Sequence, residues 1–159
     1  MTLNVNINGV DHALDIEPGE ILLDVLRRAG FHGVKRGCET ATCGSCVVLV
    51  DNVPQFSCAM YAGSVEKRRV TTIEALGTPN DPHPIMQAFV EEAGVQCGYC
   101  VPGMLLSTKA LLDEHPQPTE GEIRTALDAH LCRCTGYVKQ VKAVQLAAER
   151  MAAKNGEGA

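Results

Sequence analysis

The sequence contains no tryptophan, and aromatic residues make up only 4% of its 159 positions, so a hydrophobic core must be built mainly from aliphatic side chains. No stretch approaches the roughly 18 consecutive apolar residues of a membrane-spanning helix, and we expect none. Basic residues are also scarce: the net charge is −5, and the one basic run, Lys67-Arg68-Arg69, is short. Because nucleic-acid backbones are bound by clustered Lys and Arg, this balance argues against a nucleic-acid partner.

The first residues lack a charged segment followed by an apolar one, so we expect no secretory signal and a cytoplasmic protein. Export as the cargo of a signal-bearing partner stays open. Against this background the eight cysteines need an explanation, because structural disulfides are disfavoured in a reducing compartment. Metal ions, iron–sulfur clusters and free thiols are the alternatives, and cysteine spacing discriminates among them.

The first half of the chain predicts a small α+β unit. Apolar and polar residues alternate over residues 3–7 and 10–16, as in half-buried strands, and Asn8-Gly9 between them indicates a hairpin. Residues 20–29 carry apolar side chains at helical spacing, and Gly30 follows in the position of a C-cap glycine. Further short strands are predicted at residues 47–50, 53–58 and 70–73.

The second half predicts an all-helical unit. Three prolines within residues 78–84 exclude a helix or a central strand there. We interpret this segment as a linker between a domain at residues 1–77 and a second domain at residues 85–153. The second domain is predicted to hold four helices: residues 85–94, about 102–114, one opened by the capping box Thr119-Glu120-Gly121-Glu122, and about 138–151. Residues 154–159 are predicted to form a flexible tail.

Four cysteines follow a spacing that indicates a [2Fe–2S] cluster. Cys38, Cys43 and Cys46 form C-x4-C-x2-C, and Cys58 lies further along the chain. Plant-type ferredoxins combine this triplet with a remote fourth cysteine. Structural zinc sites usually have paired short spacings, which fit this loop poorly. Small residues in the loop would let backbone N–H groups approach the cluster and tune its potential.

The other four cysteines leave two kinds of site open. Cys97 and Cys100 form C-x2-C at the entrance to a predicted helix, and Cys132 and Cys134 form C-x-C between the third and fourth helices. On spacing alone, zinc and iron–sulfur fit equally well. A thioredoxin-like motif is disfavoured because no βαβ pattern surrounds it. The first set of cysteines favours iron–sulfur here too, since an electron carrier gains from two cofactors in series.

Longer motifs around these cysteines resemble a known family, the small iron–sulfur subunits of the molybdenum hydroxylases, which include xanthine dehydrogenase, aldehyde oxidoreductase and carbon monoxide dehydrogenase. The motifs occur in the order found in the family and span roughly residues 3–150. They are Gly37-Cys38-Glu39-x3-Cys43-Gly44-x-Cys46, Ser57-Cys58, Thr72-Ile73-Glu74, Gln96-Cys97-Gly98-Tyr99-Cys100-x-Pro102-Gly103 and Leu131-Cys132-Arg133-Cys134-Thr135-Gly136-Tyr137.

The resemblance implies a β-grasp, ferredoxin-like domain followed by a four-helix domain that holds a second [2Fe–2S] cluster. It implies an electron-transfer subunit of a multi-subunit molybdenum-dependent oxidoreductase, with no catalytic residues or substrate site of its own. A large partner would hold molybdopterin beside the second cluster. Beyond the first cluster, the electron acceptor would be FAD in a medium partner or another acceptor. A dimer of heterotrimers is expected. Gln96 and Cys134 match the positions that contact molybdopterin in the family.

Two residues depart from the pattern of the family. Ala41 stands where glycine is usual, and its Cβ costs about 1–2 kcal/mol if the position is left-handed. His130 stands where asparagine usually precedes Leu-Cys-Arg-Cys, and we interpret it as structural rather than catalytic. The competing interpretations are an independent ferredoxin-like carrier and a zinc-stapled interaction module. An autonomous enzyme is disfavoured, because no Ser/His/Asp or phosphate-loop motif is visible in the sequence.

Overall fold

A computed structural model describes residues 1–156 of the chain, with side chains for residues 1–153. The described chain forms a mixed sheet with one helix, followed by a unit of four helices. The predicted α+β fold class, with a ferredoxin-like unit before an all-helical one, is therefore confirmed. No helix within residues 1–156 is both long and apolar enough to cross a bilayer.

The first unit is a five-stranded sheet in the order β2-β1-β5-β3-β4. β5 is parallel to β1, and the other neighbouring pairs are antiparallel. Asn8 and Gly9 have φ values of 54° and 85°, as expected of the predicted two-residue hairpin between β1 and β2. The strands are β1 (Thr2–Ile7), β2 (Val10–Asp15), β3 (Val47–Val50), β4 (Val53–Phe56) and β5 (Arg69–Thr71).

One helix, α1 (Leu22–Arg28), packs its apolar residues against the inner face of this sheet. The sequence predicted it from residue 20, but Ile21 is extended and forms a bridge with Tyr61, so the helix begins later. The end of the helix matches the prediction, because Gly30 has φ 98° and Phe31 N–H donates to the Leu26 carbonyl.

The second unit contains the four predicted helices: α2 (Pro84–Glu91), α3 (Val101–Glu114), α4 (Glu120–Asp128) and α5 (Val138–Gly156). The capping box at Thr119 and Glu122 is present with both of its hydrogen bonds. α5 continues to Gly156, so residues 154–156 are helical where a tail was predicted. Residues 157–159 of that tail lie outside the described residues.

The proline-rich segment forms a turn closed by a bridge between Thr78 and Asp81. His83 then caps α2, since its Nδ1 accepts a hydrogen bond from Ile85 N–H at 3.3 Å. Pro84 occupies the first turn of the helix, where its missing N–H costs nothing. The helix therefore begins at the last proline of the segment, one residue before the predicted start.

The two units are held together by β3, which is buried on both faces. Val48 and Val50 belong to the core shared with α1, whereas Val47 and Leu49 pack against Leu106 of α3. An uninterrupted apolar strand is expected where both faces of a sheet are covered. α3 therefore packs on the outer face of the sheet, and this packing fixes the position of the helical unit.

The end of α2 differs from the prediction in its detail. The sequence pointed to Gly94 as the terminating glycine, but the left-handed residue is Ala93, with φ 52°. Ala93 N–H donates to Val90, and Gly94 N–H donates to Phe89, as in a Schellman-type cap. Gly94 is closely packed instead, since a Cβ there would lie 3.3 Å from the Phe89 carbonyl oxygen and 3.5 Å from Gln140 Cγ.

Replacement of Ala93 by glycine should therefore stabilise the protein. We expect Ala93→Gly to raise the free energy of unfolding by about 0.5–1 kcal/mol, because glycine removes left-handed strain but adds freedom to the unfolded chain. Chemical unfolding of the purified chain measures this gain. Ala75→Gly is the matched control, because Ala75 is exposed and has no positive φ. A gain at Ala75 as large as that at Ala93 would contradict the explanation.

Candidate iron–sulfur sites

The loop that carries the first three cysteines directs several backbone N–H groups at one thiol. The N–H groups of Thr40, Thr42 and Cys43 lie 3.4, 3.4 and 3.3 Å from Cys38 Sγ. Hydrogen bonds from the Thr40 hydroxyl and then from these N–H groups lower the pKa of Cys38 to about 6. A thiolate, the form that binds metal, is therefore favoured at this position.

The backbone of this loop has the conformation of an anion-binding nest. Glu39 and Ala41 have φ values of 58° and 54°, each followed by a residue without positive φ. Alternation of this kind points successive N–H groups into one concavity, which is common at iron–sulfur sites. The left-handed conformation that would penalise Ala41 is thus present, and its Cβ costs about 1–2 kcal/mol relative to glycine.

Cys46 and Cys58 are brought together by the β3–β4 hairpin. Val47 pairs with Phe56, so the cysteines that flank this pair emerge at the open end of the hairpin. Both thiols are buried, and they are hydrogen-bonded to each other. Burial first, and then the neighbouring Cys58, raise the pKa of Cys46 to about 11. Ser57 Oγ donates to the Cys46 carbonyl at 2.7 Å and fixes the pair.

The second set of thiols also meets in pairs. Cys100 is hydrogen-bonded to Cys132, and Cys97 to Cys134. Burial raises the pKa of Cys100 to about 12. Burial also acts to raise the pKa of Cys132, but hydrogen bonds from Thr135 and the following backbone outweigh it and hold the value at about 7. Thr135 Oγ1 lies 3.1 Å from Cys132 Sγ.

This pairing fits a two-iron cluster better than zinc. A zinc ion needs four donors around one centre, at about 2.3 Å for each sulfur. Two irons with two cysteines each need two pairs of thiols instead. The side-chain pairs Cys46–Cys58, Cys100–Cys132 and Cys97–Cys134 match this second arrangement.

The loop of the second set depends on two residues whose role could not be predicted from the cysteine motifs. Tyr137 Oη accepts from Cys132 N–H at 2.7 Å and donates to the His130 carbonyl at 3.0 Å. Gln140 is fully buried; its Oε1 accepts from Thr135 at 2.9 Å, and its Nε2 donates to the Gly94 carbonyl at 3.3 Å. In the sequence, the position of Gln140 beside the apolar residues of α5 is the one sign that its side chain is buried.

The predicted molybdopterin-contacting residues lie together at the surface. Gln96 is exposed, and its Nε2 donates to the Cys134 carbonyl at 3.1 Å. Cys97 and Cys134 are themselves exposed, whereas Cys100 is buried behind them. The second site therefore has an open side formed by Gln96, Cys97 and Cys134.

A cleft of about 210 Å³ joins the two cysteine sets. Cys43 and Ser45 of the first loop line it together with all four cysteines of the second set, Cys97, Cys100, Cys132 and Cys134. A hydrogen bond of 3.0 Å from Leu131 N–H to the Cys43 carbonyl connects the two loops. Gly37 also borders the cleft, and a Cβ there would lie 2.6 Å from Cys43 Sγ.

His130 is only 1% exposed, which supports its interpretation as structural. Its Nε2 lies 2.8 Å from Ser107 Oγ in α3. Burial lowers the pKa of the imidazole to about 4 despite an opposing contribution from the Gly44 backbone, so the ring is neutral at pH 7.

Comparison with protein families identifies two iron–sulfur domains. Residues 5–69 match the 2Fe-2S iron-sulfur cluster binding domain, and residues 72–145 match the [2Fe-2S] binding domain. Among curated proteins, the nicotinate dehydrogenase small FeS subunit of Eubacterium barkeri is 44% identical over 153 residues, with 96% of this chain and 98% of that protein covered.

Solved structures show the same likeness over the whole chain. Quinoline 2-oxidoreductase from Pseudomonas putida 86 matches with a TM-score of 0.91 and 36% identity, covering 99% of this chain and 98% of that one. Aldehyde oxidoreductase from Desulfovibrio gigas matches with a TM-score of 0.93 and 37% identity over 97% of this chain. This chain spans only 17% of the aldehyde oxidoreductase chain.

Substitution of Gly37 tests the first site. Gly37→Ala would place a Cβ 2.5 Å from Ser45 Oγ and 2.6 Å from Cys43 Sγ, so the loop must move away from its ligand geometry. We expect iron-reconstituted chain to lose about half of its iron, since each site would hold one two-iron cluster. Iron analysis and electron paramagnetic resonance (EPR) of the reduced chain measure this. Gly63→Ala is the control, because its Cβ meets nothing within 4 Å and should leave the iron content unchanged.

Proposed function

The chain belongs to the small iron–sulfur subunits of the molybdenum hydroxylase family, and we propose that it relays single electrons between a molybdopterin-containing large subunit and a flavin subunit or another acceptor. The observation that carries this proposal is the cleft lined by Cys43 of the first set and by all four cysteines of the second. We assign one [2Fe–2S] cluster to Cys38, Cys43, Cys46 and Cys58, and another to Cys97, Cys100, Cys132 and Cys134.

The residues of the chain would hold these clusters and set their environment. A [2Fe–2S] cluster supplies one-electron redox chemistry when bound. The N–H groups directed at Cys38 stabilise negative charge on that sulfur, as do the backbone N–H groups of Cys134 and Thr135 at Cys132. The Leu131–Cys43 hydrogen bond keeps the two loops in direct contact. We keep the proposed domain limits, 1–77 and 85–153, as the division between the two sites.

The exposure of the cysteines supports an order for the relay. The second site is open at Gln96, Cys97 and Cys134, and we assign this side to molybdopterin in the large subunit. The first loop exposes Glu39 and Thr40, and we assign this loop to an outward acceptor such as FAD. A dimer of such heterotrimers is the assembly we propose.

The substrate would bind to the large subunit, and its class can be proposed from the relatives. Nicotinate dehydrogenase and quinoline 2-oxidoreductase are named for nitrogen-heteroaromatic compounds, and this chain covers almost the whole of the matched chain in each. We therefore assign the complex to hydroxylation of a nitrogen heteroaromatic ring. Aldehyde oxidation, the activity in the name of another structural neighbour, is the alternative.

Purification of the native complex tests the relay as a whole. We expect a large and a medium subunit to co-purify, about four irons per copy of this chain, and two distinguishable EPR signals on reduction. Oxidation of nicotinate and quinoline, compared with benzaldehyde, then distinguishes the two substrate classes. Bound zinc in place of iron, or a chain that purifies alone, would contradict the proposed relay.

Replacement of one ligand should separate the two ends of the relay. In Cys134→Ser we expect substrate still to reduce molybdenum, while flavin reduction slows by about tenfold or more, because loss of a ligand exceeds the effect of losing an outer-shell partner. Stopped-flow spectroscopy follows both steps, and the EPR signal of the first cluster serves as the internal control. Loss of both cluster signals would count against the assignment of cysteines to two separate sites.

A further inference from the structure

His130 lies where the two cysteine loops and α3 meet. Its ring is buried, and a Cβ built on Gly44 would come within 2.2 Å of its Nδ1, so the ring rests directly on the segment between Cys43 and Cys46. His130 itself precedes Cys132 by two positions. One side chain thus contacts the loop of the first site while belonging to the loop of the second.

At two positions beside the ring, Gly44 and Gly103, the neighbouring atoms leave no room for a Cβ. Gly44 has φ 73°, and its Cβ would also lie 2.5 Å from the Ala129 carbonyl oxygen. A Cβ on Gly103 would lie 2.2 Å from the Gly44 carbonyl oxygen and 3.2 Å from His130 Cε1. Gly44, Gly103 and the imidazole therefore fill one another's space, and the ring sets how closely the segments approach.

Hydrogen bonds of the ring and of the neighbouring backbone connect this contact to segments beside the ligands. Nε2 of His130 reaches Ser107 at 2.8 Å, and Ser107 lies in α3, which begins directly after Cys100. The His130 carbonyl accepts from Tyr137, which also holds Cys132 N–H. The next residue, Leu131, donates to the Cys43 carbonyl. The ring is therefore bonded to α3 and pressed on the loop of the first site, while the backbone of residues 130 and 131 is hydrogen-bonded to Tyr137 and to Cys43.

We propose that His130 is a positioning residue that fixes the separation of the two clusters, with Ser107 holding its ring in place. This rests on the proposed function, since it requires two clusters. A histidine that only filled the helical core would contribute to stability alone. A histidine wedged between the two ligand loops also sets the electronic coupling between the sites, because the coupling depends on their distance.

The test uses the purified complex and the variants His130→Ala, His130→Gln and Ser107→Ala. The readouts are the magnetic interaction between the clusters in fully reduced EPR samples and the rate of electron equilibration between them after rapid mixing. In His130→Ala we expect full iron content and both individual cluster signals, but a weakened magnetic interaction and slower equilibration. Without the ring and its bond to Ser107 the two loops are no longer held at their native separation, and both quantities fall as the clusters move apart.

His130→Gln should restore much of the wild-type rate, because the glutamine amide can place a nitrogen near the position of Nε2. Ser107→Ala should give a smaller slowing in the same direction, and the double variant should match His130→Ala, since the two side chains act as a unit. If His130→Ala does not assemble, Ser107→Ala decides, because it keeps the ring and removes only the hydrogen bond.

The positioning role is refuted if an assembled His130→Ala complex keeps the wild-type magnetic interaction and equilibration rate, even with a lowered melting temperature. If His130→Ala does not assemble, the same result in Ser107→Ala refutes it. That outcome would leave the proposed function intact, because both cluster signals would be present. Absence of two cluster signals from the wild-type complex would instead refute the proposed function itself, and with it this inference. The two failures are therefore distinguished by the wild-type spectrum.

Discussion

The pairing of Val47 with Phe56 in the β3–β4 hairpin is the constraint on which the rest of the structure depends. It places Cys46 and Cys58 side by side at the open end of the hairpin. The same strand turns Val47 and Leu49 towards Leu106 of α3. Because α3 begins at the second cysteine set, the packing that completes one site also positions the other.

The fold is largely predictable because its signals are local. Asn8-Gly9 gives the first hairpin, and the Thr119–Glu122 capping box gives the start of α4, since each depends on residues only a few positions apart. The cysteine spacings are equally local. Prediction succeeds least at helix ends: Ile21 is held extended by a bridge to Tyr61, and Ala93 takes the left-handed role expected at Gly94. Both depend on partners that are remote in the sequence or on packing.

The contact between the two sites could not be predicted, for a related physical reason. Periodicity shows that β3 is apolar on both sides, but it does not say which helix covers it. The pattern likewise marks His130 as unusual without revealing Ser107 or Gly44 as its neighbours. Glycines were visible at positions 44 and 103, yet their need for close approach appears only when the two loops are brought together.

The pKa values of the thiols follow from how each site is buried and hydrogen-bonded, and they bear on how the chain binds its clusters. In each site one partly exposed thiol, Cys38 or Cys132, has a lowered pKa, while one buried thiol, Cys46 or Cys100, has a raised pKa. Buried neutral thiols become ligands only when iron displaces their protons, so cluster binding and proton release are linked.

Two such sites facing one cleft also argue against an independent carrier that meets its partners by diffusion. A diffusible carrier needs one accessible site, whereas here Cys43 of the first loop lines the cleft shared with the second set. Gln96 and Cys134 are exposed at the second set, and Glu39 and Thr40 are exposed at the first loop. A chain with exposed residues at each site and a hydrogen bond between the two loops is suited to lie between two partners, which is the position of a subunit in a relay.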